Sequence, residues 1–280
     1  MDGLSEMSGF WLLLAAAIGL VLGSFASVVV WRLPLMMARS ALAFESVEEG
    51  GSTRYNLCFP GSACAHCAAP IPWYYNVPIW GYLCLKGRCA SCGQSISLRY
   101  LLLEWGMALI AVALMVRFGP GMSWIWALVL SLSLLCMSVI DFDHQILPDD
   151  LTLPTLWLGL ILSVFDVFVE SRSSILGAAL GYGVFWAIHH LFRLISGREG
   201  LGQGDFKLLA LLGAWLGFAQ LPALIFLASV TGAGVGLLLI ATGRSRRTDP
   251  IPFGPFLAAA GWLLLVLGPI PADWFVSFGG

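Results

Sequence analysis

Apolar residues fill long runs of this chain, and short polar or glycine- and proline-rich segments separate them. A run of about 20 apolar residues can cross a ~30 Å hydrocarbon core as a helix. The first run covers roughly residues 10–30, and Arg32-Leu33-Pro34 is predicted to end it. Further helices are predicted near 100–116, 122–140, 151–169, 174–195, 206–219, 221–242 and 255–271. The pattern therefore predicts an all-α polytopic membrane protein with about eight transmembrane helices.

Composition supports the same fold class. Hydrophobic residues make up 59% of the chain and charged residues 11%, and the mean hydropathy is +0.88. Soluble domains carry about 25% charged residues, so a soluble globular enzyme is excluded. The net charge of −2 points to no particular partner. We expect contact with the lipid bilayer and no binding of nucleic acid.

The polar segment and the basic residues predict the domain organisation and orientation. We predict a first transmembrane helix in 1–34, a small polar domain in 35–99 and a seven-helix membrane domain in 100–280. Lys and Arg are enriched on the cytoplasmic side of a membrane protein. If the N-terminus is outside, Arg117 and Arg172 alone among the 14 Lys and Arg residues fall outside. This predicts periplasmic termini and a cytoplasmic polar domain.

Four cysteines in the polar segment form two C-x2-C knuckles: Cys64, Cys67, Cys89 and Cys92. Two such knuckles can wrap a tetrahedral Zn²⁺ through four thiolates. The predicted cytoplasmic location is reducing, which argues against disulfides. Zinc at such a site supplies on the order of 10–16 kcal/mol of folding energy. We therefore predict a zinc-ribbon-like domain between helices 1 and 2, with a closed structural zinc site that performs no catalysis.

Two acids lie at the ends of hydrophobic segments. Asp205 follows Gly202-Gln203-Gly204 at the start of the sixth predicted helix, and Asp141 ends the third. The simpler interpretation of Asp205 alone is a helix N-cap. The predicted topology, however, brings both acids to the cytoplasmic membrane boundary. Two neighbouring carboxylates share one proton, so one can deprotonate water while the other donates a hydrogen bond to a scissile carbonyl. Asp141 and Asp205 are therefore the candidate catalytic pair of a peptidase.

The other acids have simpler interpretations. Asp149 and Asp150 are predicted to cap the helix that follows them. Asp143 is predicted to face solvent, and Glu104 to serve packing or a structural hydrogen bond. The acidic run at 45–49 could dock a basic peptide, although a solvated loop is the simpler interpretation.

The ordered set of motifs resembles the prepilin peptidases, bifunctional membrane enzymes of type IV pilus and type II secretion systems. A GxGD motif alone is weak evidence, because other intramembrane aspartyl proteases share it. The ordered set is far more specific and extends over nearly the whole chain. In chain order, its segments are Gly23–Val29, Arg32–Pro34, the two cysteine knuckles, Trp73–Pro78, Ser97–Tyr100, Asp141–Asp149, Gly202–Lys207 and Ile251–Pro255.

The resemblance implies that Asp141 and Asp205 are the catalytic pair. It also implies removal of a short basic leader from type IV prepilins or type II secretion pseudopilins at the cytoplasmic face of the bacterial inner membrane. The resemblance further implies that the new N-terminal residue is then methylated with S-adenosylmethionine. The chain departs from the family pattern at Tyr75, where an acidic residue is common, and at Leu101, where proline often follows Arg-Tyr. Nothing in residues 35–99 identifies the residues that bind S-adenosylmethionine.

Two other functions fit parts of the pattern. A proton-coupled membrane transporter could use the boundary acids as a proton relay, with the zinc module as a regulator. Transporter sites usually lie near the membrane midplane, whereas both acids are predicted at one face. A membrane scaffold that displays a zinc module would leave the two acids without a role.

Overall fold

A computed structural model describes residues 9–45, 55–197, 202–243 and 251–268. Both termini and most of the acidic run at 45–49 lie outside these residues. The described residues are mostly helical, and their β structure consists of two isolated β-bridges. The all-α prediction is therefore confirmed. The helices are α1 (Gly9–Glu45), α2 (Trp80–Cys84), α3 (Leu98–Phe118), α4 (Met122–His144), α5 (Asp149–Ser163), α6 (Ser171–Ser196), α7 (Gln203–Leu216), α8 (Leu221–Ala241) and α9 (Gly254–Leu267).

A helix is present at each of the eight predicted transmembrane positions, but their lengths differ. Five described segments are long and apolar enough to cross a membrane: Gly9–Ser40, Leu98–Phe118, Met122–His144, Ser171–Ile195 and Phe218–Ala241. The helices α5, α7 and α9 have 15, 14 and 14 residues. At 1.5 Å per residue they reach only about 21–23 Å. These three are therefore shorter than a straight membrane span.

The predicted end of the first helix is wrong. The helix α1 runs on to Glu45 and contains Pro34. A proline inside a helix removes one hydrogen bond and costs about 3 kcal/mol. Leucine and methionine are good helix formers, and they occupy positions 33 and 35–37 around the proline. The helix therefore continues past Pro34 despite the lost hydrogen bond. It includes residues 35–45, which were predicted to begin the polar domain.

The chain forms two compact units, Met1–Leu132 and Ser133–Gly280. In the first unit, α1 packs on α3 through two glycines. A Cβ atom at Gly19 would lie 2.6 Å from the Cα atom of Ala108, and one at Gly23 would lie 2.6 Å from the Cα atom of Glu104. Small residues at a contact of this kind let two membrane helices approach closely. The three-domain division at 34 and 99 stays a prediction.

The second unit is built around α7, whose residues 208–215 are all apolar and buried. Its core residues are fully buried, and Trp215 is only 1% exposed. The indole Nε1 of Trp215 donates to the carbonyl of Thr155 at 2.9 Å. On α6, the hydroxyl of Ser174 donates to the carbonyl of Ala214 at 2.6 Å. These bonds fix the C-terminal end of α7 between α5 and α6, and its first turn carries Asp205.

The helices α6 and α7 touch backbone to backbone. A Cβ atom at Gly177 would clash with the carbonyl of Gly213, and one at Gly213 would clash with the carbonyl of Gly177. A Cβ atom at Gly181 would lie 2.7 Å from the carbonyl oxygen of Leu209. Because backbone atoms cannot move aside like a side chain, this contact admits no larger residue.

We predict that Gly177→Ala lowers the free energy of unfolding by about 1–3 kcal/mol, because overpacking separates α6 from α7. The measurement is the melting temperature of the purified protein in detergent. Gly183→Ala on the same helix is the matched control, since a Cβ atom there meets nothing within 4 Å. Alanine favours the helix by about 0.5–1 kcal/mol over glycine, so the control should be neutral or stabilising. Equal melting temperatures for both variants would contradict the packing.

Candidate functional site

Asp141 and Asp205 are both buried in the second unit. Asp141 lies in the last turn of α4 and is 6% exposed, and Asp205 lies in the first turn of α7 and is 8% exposed. The two carboxylates are close enough to interact electrostatically. The structure therefore brings together the two acids that the sequence predicts as a pair.

Backbone N–H groups hold both carboxylates. The N–H of Gly254, at the start of α9, donates to Oδ2 of Asp141 at 3.0 Å. The N–H of Gly202 donates to the carboxylate of Asp205. Gly202 is the N-cap of α7, so the N-cap interpretation of Asp205 is wrong. Asp205 is instead the third helical residue, and it reaches back to the N-cap N–H as in a capping box.

Two glycines next to the acids allow neighbouring segments to approach them closely. A Cβ atom at Gly254 would lie 2.5 Å from Oδ2 of Asp141, and one at Gly204 would lie 2.8 Å from Cβ of Leu147. Leu147 lies in the short connection between α4 and α5 and faces both glycines. The first glycine of the GxGD motif is the N-cap, and the second allows this connection to approach α7. Glycine is thus required where α7 and α9 approach Asp141 and Leu147.

An aromatic cluster packs behind Asp205. Phe206 contacts three rings of α6, with centroid distances of 6.0 Å to Tyr182, 6.5 Å to Phe185 and 5.5 Å to His189. Phe185 also lies 6.1 Å from Phe253, next to the N-terminus of α9. The cluster links the segments that carry Asp205 and the Gly254 N–H. Sequence reasoning missed this cluster, since its members come from three segments that are distant from one another in the chain.

An ion pair joins the first turns of α5 and α7. Nζ of Lys207 lies 2.6 Å and 2.8 Å from the two carboxylate oxygens of Asp149. Both side chains are partly exposed, so the pair stabilises the fold by about 0–1 kcal/mol. The predicted capping role of Asp149 and Asp150 is wrong, because Pro148 is the N-cap. Asp143 is exposed, as predicted.

The cysteine knuckles in the first unit repeat one backbone geometry. The N–H of Cys64 donates to the carbonyl of Ala69 at 2.9 Å, and the N–H of Cys89 donates to that of Gln94 at 2.8 Å. Each loop turns through a residue with positive φ, Ala68 at 56° and Gly93 at 70°. An isolated antiparallel bridge closes each knuckle, Ala63 with Pro70 and Arg88 with Ser95. Two equivalent loops therefore present their sulfurs to one point.

The four sulfurs of Cys64, Cys67, Cys89 and Cys92 all lie within 4.8 Å of one another. Backbone N–H groups of Cys67 and His66 lower the pKa of the Cys64 thiol to about 6. Those of Cys92 and Ser91 lower the pKa of Cys89, whereas burial and the neighbouring cysteine sulfurs raise the pKa of Cys92 to about 11. Thiolates are the form that binds metal. Four thiolates at these separations fit a tetrahedral zinc ion, and the side chain of His66 is not part of the set.

Glu104 is also buried in the first unit, at 8% exposure on α3. Its Oε2 accepts the N–H of Ile79 at 2.7 Å, and the hydroxyl of Ser24 is a second hydrogen-bond partner. Ile79 has a positive φ of 62° and precedes α2. The predicted structural hydrogen bond of Glu104 is therefore confirmed.

Comparison with known proteins decides the family. Residues 128–237 match the type IV leader peptidase family, and residues 17–118 match the bacterial peptidase A24 N-terminal domain. The chain is similar to a prepilin leader peptidase/N-methyltransferase of Burkholderia pseudomallei, with 45% identity over 98% of this chain and 90% of the relative. The chain belongs to the type IV leader peptidase family.

Other members of the type IV leader peptidase family are similarly close. Proteins of the same name from Pseudomonas putida and Pseudomonas aeruginosa are 43% and 42% identical to this chain. The alignments cover 92% and 100% of this chain, and 91% and 98% of the relatives. No solved structure matches the chain. One family match contains the cysteine knuckles, and the other contains the two buried acids.

Proposed function

We propose that this protein cleaves the leader peptide of type IV prepilins or type II secretion pseudopilins and then methylates the new N-terminus. Asp141 and Asp205 form the catalytic pair. The observation that carries this proposal is the burial of both acids within interaction distance of each other. The name of these relatives, prepilin leader peptidase/N-methyltransferase, supports both activities.

The two carboxylates work as one unit. Because like charges at short distance resist simultaneous ionisation, the pair holds one proton. The ionised carboxylate takes a proton from a water molecule, which attacks the scissile carbonyl. The protonated carboxylate donates a hydrogen bond to the carbonyl oxygen and stabilises the tetrahedral intermediate. The Gly254 N–H orients Asp141, and the Gly202 N–H orients Asp205. Proton transfer to the leaving amine completes the cleavage.

The orientation of the protein in the membrane determines on which side cleavage occurs. The protein lies in the bacterial inner membrane with its termini periplasmic, and its cysteine knuckles and acid pair face the cytoplasm. The distribution of Lys and Arg along the chain supports this orientation. A basic leader stays on the cytoplasmic side for the same electrostatic reason. The transporter alternative finds no support among the relatives' names.

Zinc holds the knuckles together. Cys64, Cys67, Cys89 and Cys92 bind one structural Zn²⁺, and the close approach of their sulfurs supports this assignment. The metal closes two loops that have little hydrophobic core of their own, since most of their residues are exposed. S-Adenosylmethionine supplies the methyl group for the second activity.

The direct test incubates the purified full-length protein with a prepilin, with and without S-adenosylmethionine, and measures the product mass. We expect loss of the leader in both reactions and gain of one methyl group only with the donor. An intact prepilin after incubation with the folded protein would contradict the proposed cleavage. A cleaved product that never gains a methyl group would contradict the proposed methylation.

Neutralising either acid should abolish cleavage. We predict that Asp141→Asn and Asp205→Asn each lower kcat by at least about 10²–10⁴-fold, because the general acid–base pair is lost. Product formation by purified variants is the measurement. Asp143→Asn is the matched control, since Asp143 is an exposed acid two residues from Asp141. Near-normal processing by either of the first two variants would end the assignment.

Removing one knuckle cysteine should release the metal. We predict about one zinc ion per wild-type chain, as expected for a four-thiolate structural site, and loss of that ion from Cys67→Ser. Elemental analysis by mass spectrometry is the measurement. Cys84→Ser is the control, because Cys84 is exposed and lies outside the cluster. Equal zinc content in the two variants would refute the site.

A further inference from the structure

A large cavity lies within the first unit, between α1, the cysteine knuckles and α3. Its volume is about 1030 Å³. Sites for small ligands and cofactors usually measure about 300–1,000 Å³. The cavity therefore has room for a nucleoside-sized molecule and the end of a peptide. The peptidase mechanism does not use this space, and two of the knuckle cysteines, Cys64 and Cys89, lie in its wall.

The wall of the cavity has one acidic side chain, Glu104. Glu104 is buried, and its carboxylate accepts hydrogen bonds from the N–H of Ile79 and the hydroxyl of Ser24. Neither partner carries a charge. Arg32 also lines the cavity, but its guanidinium donates to the backbone carbonyls of Asn56, Leu57 and Gly61 at 3.0–3.3 Å. Among the described residues, no Lys, Arg or His forms an ion pair with Glu104, which is a buried carboxylate in the cavity wall.

A buried carboxylate is costly unless hydrogen bonds, a proton or a cationic partner stabilise it, and a cationic ligand in this cavity would be such a partner. Tyrosines 74, 75 and 100 line the same cavity. Aromatic faces attract sulfonium and ammonium cations by cation–π interactions. Aromatic rings also stack on nucleobases. The lining therefore suits a cationic ligand that carries an aromatic base.

We propose that this cavity is the methyl-transfer site, where S-adenosylmethionine and the new N-terminal amine of the cleaved pilin meet beside Glu104. This inference rests on the proposed function. It assigns the second activity to a cavity and a residue, and both lie in the first unit.

Glu104 accepts the proton that the reaction must remove. The N-terminal ammonium gives one proton to the Glu104 carboxylate and becomes a neutral amine. The nitrogen then forms a bond to the methyl carbon as the bond from that carbon to the sulfonium sulfur breaks. The products are a secondary ammonium and a neutral thioether. The proton on Glu104 returns to water when the product leaves.

The test compares Glu104→Gln with wild type in the purified full-length protein. Gln keeps the acceptor oxygen for Ile79 but removes the charge. We expect affinity for S-adenosylmethionine, measured by calorimetry, to fall about tenfold, as for loss of one buried charge interaction. Affinity for S-adenosylhomocysteine, which has a neutral sulfur, should stay unchanged. The kcat/KM of methylation should fall on the order of 10²-fold or more, as for loss of a general base.

Prepilin cleavage by Glu104→Gln should equal that of wild type, which also reports a folded protein. Glu170→Gln is the matched control, since Glu170 is an exposed glutamate at the N-cap of α6 with no side-chain capping bond. Wild-type binding and methylation by Glu104→Gln would overturn this inference alone. A wild-type protein that cleaves without methylating would overturn the proposed methylation and this inference together.

A second measurement avoids the variant, in case Glu104→Gln fails to fold. Wild-type protein is irradiated with an azidoadenine analogue of S-adenosylmethionine, and the labelled peptides are mapped by mass spectrometry. Labelling within residues 62–104, competed by S-adenosylhomocysteine, supports the site. Competed labelling confined to the Ser133–Gly280 unit overturns it.

Discussion

The burial of two like carboxylates beside each other is the constraint on which the second unit depends. Asp141 and Asp205 are both largely removed from water, and they interact electrostatically. Lys207, two residues after Asp205, places its ammonium on Asp149 instead of on the pair. Hydrogen bonds from backbone N–H groups, together with one proton shared by the two carboxylates, therefore offset the free-energy cost of burying them. Such a pair destabilises the fold if its role is purely structural, but it can activate a water molecule for hydrolysis.

The architecture around the pair follows from this requirement. The helix α7 must bring Asp205 to a fixed point, so its residues 208–215 are buried and Trp215 anchors its far end. It must also be approached closely by its neighbours, so glycines occur where α6 and the α4–α5 connection meet it. The same need explains Gly254, whose N–H reaches Asp141 only because no side chain intervenes. Helix packing and site geometry therefore have a common cause.

Sequence patterns predicted the helices and the two acids because these depend on local signals. Apolar runs predict helices directly, and a carboxylate at the end of such a run is conspicuous. The continuation of α1 through Pro34 escaped prediction, because the flanking helix formers outweigh one lost hydrogen bond. The N–H of Gly254 and the ring cluster around Phe206 also escaped it, since each unites segments that are distant in the chain. The cavity beside Glu104 is likewise a tertiary feature that no spacing in the sequence encodes.

The most direct test of the central claim is a structure of the protein bound to a prepilin peptide in which a secondary alcohol replaces the scissile amide. The alcohol oxygen takes the place of the attacking water. We expect carboxylate oxygens of both Asp141 and Asp205 within hydrogen-bond distance of that oxygen, about 2.5–3.0 Å. A bound peptide whose alcohol contacts neither acid, or only one with the other directed elsewhere, would contradict the account.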